Sequence, residues 1–96
     1  DKKPLLEGIK TQTSRTDMPD PKVKVGATVY AVIWEPHVAE LRITSIERKR
    51  LKYFDEEDAE REGSYTLEEF KKIWKAFHGE WDENQLVYVM HFEKVK

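Results

Sequence analysis

Two helix-forming segments stand back to back in the second half of this chain and are followed by one apolar run, which leaves few topologies open. The first opens at Asp55, a good N-cap, carries acidic residues through its first turn and meets a natural stop at Gly63. The second opens at Thr66, where Thr66-Leu67-Glu68-Glu69 reads as a capping box, and runs to about His78 before Gly79. Its Leu67, Phe70, Ile73, Trp74 and Phe77 form an apolar stripe at helical spacing, expected to pack over a sheet. The run from Gln85 to Glu93 is apolar on both faces at its centre, so it should be a strand that returns to the middle of that sheet. Consecutive helices do not alternate with parallel strands. The fold class is therefore α+β, a small β-barrel with two short helices packed on it.

The first half supplies the remaining strands. Pro4, the pair Leu5-Leu6 and Gly8 predict one short helical turn. Thr16 to Pro21 holds two prolines and two aspartates, an exposed loop that could overhang a cleft. Val23-Lys24-Val25-Gly26 turns into Ala27 to Trp34, rich in β-branched and aromatic residues and apolar on nearly both faces, and so expected as a central strand. Glu35-Pro36-His37 breaks it. Val38 to Glu47 then alternates Leu41 and Ile43 with Glu40, Arg42 and Thr44, a strand with one wet face that should pair with its predecessor as a hairpin.

With 96 residues the chain is one domain, residues 1–96, with room for one cleft. It has no cysteine, which removes disulfides and thiolate metal sites, and His37, His78 and His91 lie far apart without helical pair spacing, so neither a metal nor a cofactor is expected. No apolar run approaches the ~20 residues that span a bilayer, and the charged N-terminus lacks a signal-peptide core. A cytoplasmic protein without a membrane partner is the expectation.

The net charge of -2 hides an asymmetry. Residues 1–54 carry eleven Lys/Arg against seven Asp/Glu, and residues 55–96 carry six against twelve. A polyanion would meet the first half, where Arg48, Lys49 and Arg50 form the densest basic run, either a phosphate contact or a solvated strand end. A pI near 5.9 excludes a general nucleic-acid binder, so contact would be local and base-directed, with RNA rather than DNA.

The densest chemistry lies in Gly8-Ile9-Lys10-Thr11-Gln12-Thr13-Ser14-Arg15. A threonine hydroxyl with a lysine three residues earlier is one way to activate an oxygen nucleophile, and an arginine nearby can hold an anion or a planar carbonyl. Glu62 adds an oddity. It stands in the last turn of a helix, facing the negative end of the dipole, the wrong place for a merely stabilising charge. Trp81 is the one large aromatic outside any expected element, free to stack on a base or to cap the barrel.

Four blocks together resemble the ASCH domains, small relatives of the PUA fold. They are the Gly8 to Arg15 signature of the form Gly-x-Lys-Thr-x-Thr-x-Arg; Lys24-Val25-Gly26; Glu60-Arg61-Glu62-Gly63 followed by Thr66-Leu67-Glu68-Glu69-Phe70; and Trp74 with His78-Gly79-Glu80-Trp81-Asp82 and the last strand. The resemblance implies a PUA-like pseudo-barrel with a cleft for RNA or a nucleotide. Some small bacterial members are amidohydrolases that deacetylate N4-acetylcytidine with a threonine, a lysine and a glutamate, which implies Thr13 as nucleophile, Lys10 as its activating partner and Glu62 as acid/base. Arg15 matches the signature arginine and, with Gln12 and Trp81, would bind substrate or RNA. Gln12 and Ser14 replace apolar residues of the amidohydrolase signature.

In an extended stretch Thr11, Thr13 and Arg15 share one face, so Lys10 and Thr13 can meet only through a turn or bulge. A lysine is protonated at neutral pH and acts as a base only if its pKa falls; beside Glu62 it should stay charged and steady an oxyanion. A non-catalytic RNA-binding module is the other reading. There Lys10 and Arg15 hold phosphate or a base edge and the Arg48 to Lys52 run extends the contact.

Overall fold

The computed structural model describes residues 10–34 and 37–95. The helical turn expected near Leu5 lies outside them. Strands β1 (Gln12–Arg15), β2 (Thr28–Trp34), β3 (His37–Arg50) and β4 (Leu86–Lys94) form one antiparallel sheet, in the order β1-β4-β3-β2, that curls into half a barrel. Between β3 and β4 come a 3-10 turn (Leu51–Tyr53) and helices α1 (Glu56–Gly63) and α2 (Leu67–His78).

The two helices begin as their capping residues dictate. Asp55 accepts from the Asp58 N–H while Asp58 accepts from the Asp55 N–H, and Thr66 and Glu69 make the same reciprocal pair. Gly79, at φ 88°, closes α2 in the left-handed conformation that glycine adopts without a Cβ penalty. Strand β3 runs beyond the expected Val38 to Glu47, because Arg48, Lys49 and Arg50 pair with Tyr88, Val87 and Leu86 of β4. An irregularity between Ile43 and Ser45 adds to the bend.

β4 sits between β1 and β3, as its two apolar faces require. On one face Val87 and Val89 pack with Leu51, Phe54, Ala59, Phe70 and Trp74. On the other, Phe92 joins Ala39, Leu41 and Ile43 inside the curl. β2 is an edge strand and not the central one expected. Val29 and Ala31 lean on the second cluster, but Tyr30 is 66% exposed, a residue whose ring reads as apolar in sequence and whose hydroxyl tolerates water. Phe77, expected in the α2 core stripe, is 82% exposed. Of the stripe, Phe70 and Trp74 are buried in the core and Leu67 packs against it half-buried, while Ile73 and Phe77 form the next row round the helix.

Asp58 fastens α1 to the sheet. Its carboxylate, 1% exposed, accepts from Lys49 Nζ at 2.8 Å, from the Asp55 N–H at 3.1 Å and from Arg61 Nη2 at 3.0 Å. Burial pushes this carboxyl up, but the bonds from Lys49, Asp55 and Arg61 outweigh it and hold the pKa below the ordinary 3.8. The stabilisation is thus complete above pH 3.8 and is lost as pH falls through the lower folded value. Asp58→Asn should cost about 2–3 kcal/mol at pH 7, less than for a wholly buried pair because Lys49 and Arg61 keep some solvent. Urea unfolding should show its gap from wild type shrinking below pH 3.8.

Candidate active site

The start of β1 is tied to the last turn of α1. The Thr11 N–H donates to the Arg61 carbonyl at 2.9 Å, and Lys10 Nζ donates to the Glu62 carbonyl at 2.8 Å and to the Gln12 carbonyl at 2.9 Å. These bonds take up carbonyls that a helix end leaves without intrahelical partners, and an ammonium suits the negative end of the dipole. Gln12 and Ser14, two residues apart and therefore on one face of β1, both reach the Glu62 side chain. Gln12 Nε2 donates to Glu62 Oε2 at 3.0 Å, and Ser14 Oγ donates to the same oxygen at 2.5 Å. Lys10 Nζ lies 3.7 Å from the other oxygen, Oε1. Glu62 is thus a buried carboxylate held by an amide, a hydroxyl and an ammonium.

Thr13 and Arg15 belong to the opposite face. Arg15 Nη1 donates to Thr13 Oγ1 at 2.6 Å and to the Ser14 carbonyl at 3.0 Å. Both sets meet because β1 is an edge strand with a cleft of about 400 Å³ along its free side. Its polar end is Lys10, Thr13, Ser14, Arg15 and Glu62. Lys10 and Thr13 share the cleft with Lys10 folded back toward the Gln12 carbonyl.

Burial lowers the Lys10 pKa below the ordinary lysine value of 10.5, and Arg15 adds to the lowering; the Glu62 carboxylate raises it but does not outweigh burial. Glu62 thus acts in the expected direction, toward the charged ammonium, while burial and Arg15 act against it.

The other wall of the cleft is apolar and comes from α2 and the turn before it: Tyr65, Phe70, Ile73, Trp74, Phe77 and His78. The Trp74 and His78 rings are 4.0 Å apart. A Cβ on Gly63 would come within 2.9 Å of the Tyr65 ring, so glycine lets that ring lie against the helix end. The loop after β1, expected to overhang a cleft, lines an adjoining hollow that shares Arg15 and His78 with the first.

The remaining residues singled out in the sequence fall elsewhere. Gln12 is fully buried, and its amide oxygen accepts from Arg61 Nε at 3.0 Å, so both its ends are engaged inside the protein. Trp81 packs edge-on to Phe70 and Trp74, with Lys71 over its ring, and does not line the cleft. Lys49 points inward to Asp58, and Arg50 donates to the Asn84 carbonyl, which leaves Arg48 as the exposed member of the basic run for which no such bond is seen among the described residues. Ser14, Tyr65, Phe77 and His78 were missed. Phe77 carried no separate local signal, since its spacing is that of the ordinary core-facing stripe.

No family model matches the sequence, and no curated protein matches it. Solved structures do. The crystal structure of an ASCH domain from Lactobacillus crispatus JV V101 aligns with 98% of this chain and 69% of its own at a TM-score of 0.80 and 20% identity. That of a DUF984 protein from Enterococcus faecalis V583 aligns with 98% of this chain and 66% of its own at 0.69, again with 20% identity. This chain has the ASCH fold. It spans about two thirds of the length of each of those two chains.

The electrostatics of the cleft in this ASCH fold are open to direct titration. Lys10 should titrate below 10.5 by side-chain NMR; Glu62→Gln should lower the value further by removing a charge that raises it, and Arg15→Gln should raise it by removing one that lowers it.

Proposed function

We propose that the protein is an amidohydrolase that removes the acetyl group from N4-acetylcytidine-like nucleosides. The observation that carries this reading is the meeting of Lys10 and Thr13, neighbours on one stretch, with Glu62, which is distant from both in sequence, at one end of one cleft with an aromatic wall opposite. A volume of about 400 Å³ lies in the range of small-molecule sites, about 300–1,000 Å³. The polar end sets one buried carboxylate beside an ammonium, a guanidinium and two hydroxyls, which suits a reaction that moves protons better than it suits the grip of a phosphate chain.

In this reading the pyrimidine lies along the apolar wall near Tyr65 and Phe77, and the acetyl carbonyl is directed to the polar end. Glu62 takes the proton of an attacking hydroxyl and returns it to N4 of the leaving cytosine, as a positioned carboxylate can. Lys10 and the hydroxyl that does not attack donate to the oxyanion that forms. Arg15 braces Thr13 and holds the acyl oxygen or the base.

The RNA-binding reading draws on a different observation. Arg15, Tyr88 and Arg48 stand opposite one another on three neighbouring strands, a row of two guanidinium groups around one ring on a single face of the sheet. Such a row suits stacking on a base beside a phosphate.

Incubation of the purified protein with N4-acetylcytidine, followed by chromatography of released cytidine, separates the two readings. The expected result is turnover that Glu62→Gln reduces about 10²–10⁴-fold with the fold intact by circular dichroism. A folded protein without turnover contradicts the hydrolase and moves the weight to RNA binding.

A further inference from the structure

We infer that Ser14, rather than Thr13, is the attacking hydroxyl of this site, an inference that rests on the amidohydrolase reading. The two neighbours meet different partners. Ser14 Oγ donates to Glu62 Oε2 at 2.5 Å, a charge-assisted bond to a group able to accept its proton. Glu62 is itself oriented by Gln12 Nε2 at 3.0 Å and by Lys10 at 3.7 Å. A nucleophile, a base in hydrogen-bond reach and a third group that fixes the base constitute the general arrangement for an activated hydroxyl.

Thr13 has the reverse environment. Its Oγ1 accepts from Arg15 Nη1 at 2.6 Å, and a guanidinium, which does not deprotonate in proteins, cannot take the threonine proton. That bond engages an oxygen lone pair and leaves the Thr13 O–H free to donate. Thr13 is thereby suited to the oxyanion and Ser14 to attack. Both line the cleft, since they flank the free edge of β1 from opposite faces.

The step balances. Ser14 Oγ bonds to the acyl carbon as its proton passes to Glu62 Oε2, and the carbonyl electron pair moves to oxygen, met by Thr13 and Lys10. Collapse breaks the C–N bond, and N4 leaves as the free amine with the proton from Glu62. Water then attacks the Ser14 ester and gives a proton to Glu62; the ester C–O bond breaks, the acid departs, and Ser14 recovers its proton. The sum is amide plus water giving amine plus carboxylic acid.

The test uses p-nitrophenyl acetate as an activated acetyl donor, in parallel with N4-acetylcytidine. Trypsin releases Thr11 to Arg15 as one peptide, and fragment masses place an acetyl group on Ser14 or on Thr13. The expected result is acetyl on Ser14 in the wild type and, more slowly, in Thr13→Val, with none on this peptide in Glu62→Gln. Ser14→Ala should lose activity toward the acetyl nucleoside by about 10³-fold or more. Ser14→Cys guards against a merely structural loss, because its thiol should take the acetyl group as a thioester that neutral hydroxylamine cleaves. Acetyl on Thr13, no acetyl on the peptide from folded wild type, or full activity in Ser14→Ala overturns the assignment. Failure of the substrate reading looks different: no cytidine is released, yet the ester still acetylates Ser14, which keeps the assignment and discards the substrate.

Discussion

The rest of the structure turns on the burial of one carboxylate at the wrong end of a helix. Glu62 is 7% exposed in the last turn of α1, where the dipole repels it, and an ion removed from water costs several kcal/mol. That cost is offset only if β1 docks against the helix end and brings Gln12, Ser14 and Lys10 with it. The same docking caps the carbonyls of Arg61 and Glu62, so backbone and side-chain requirements are met by one strand. A four-residue edge strand would otherwise hold poorly to a sheet. Its place is fixed from both sides, by β4 along one edge and by α1 at its start.

From that junction the cleft follows. β1 presents hydroxyls from both faces along its free edge, α1 supplies the carboxylate, and α2 provides the apolar wall. β4, with a core cluster on each face, carries β1 and β3 beneath the site. Asp58 does on the sheet side of α1 what Glu62 does on the cleft side. Each buried carboxylate draws a basic residue inward, Lys49 in one case and Lys10 in the other. This takes Lys49 out of the basic stretch and leaves Arg48 and Arg50 as its exposed charges.

Much of this was legible in the sequence. Both helices could be placed from their caps, because Asp55 and Thr66 act through bonds only three residues long. The central position of the last strand followed from its two apolar faces. The position of β2 did not, since its apolar residues satisfy a half-wet edge as well as a buried centre, and only the long-range pairing of β3 with β4 decides between them. Lys10, Thr13, Arg15 and Glu62 were found through the signature and the misplaced charge, and the structure gathers all four at the cleft. The roles of Gln12 and Ser14 were out of reach. They depend on a contact across 50 and 48 residues that no local pattern encodes.

The central claim is that the Glu62 carboxylate binds β1 to α1 through Ser14, and a double-mutant cycle on stability tests it most directly. Urea unfolding of wild type, Ser14→Ala, Glu62→Gln and the double variant gives the coupling free of each residue's other contacts. A coupling of about 1.5–3 kcal/mol, the size of a hydrogen bond to a charged group, is the predicted result. Additive losses would contradict the account and leave Glu62 as a carboxylate whose burial has another cause.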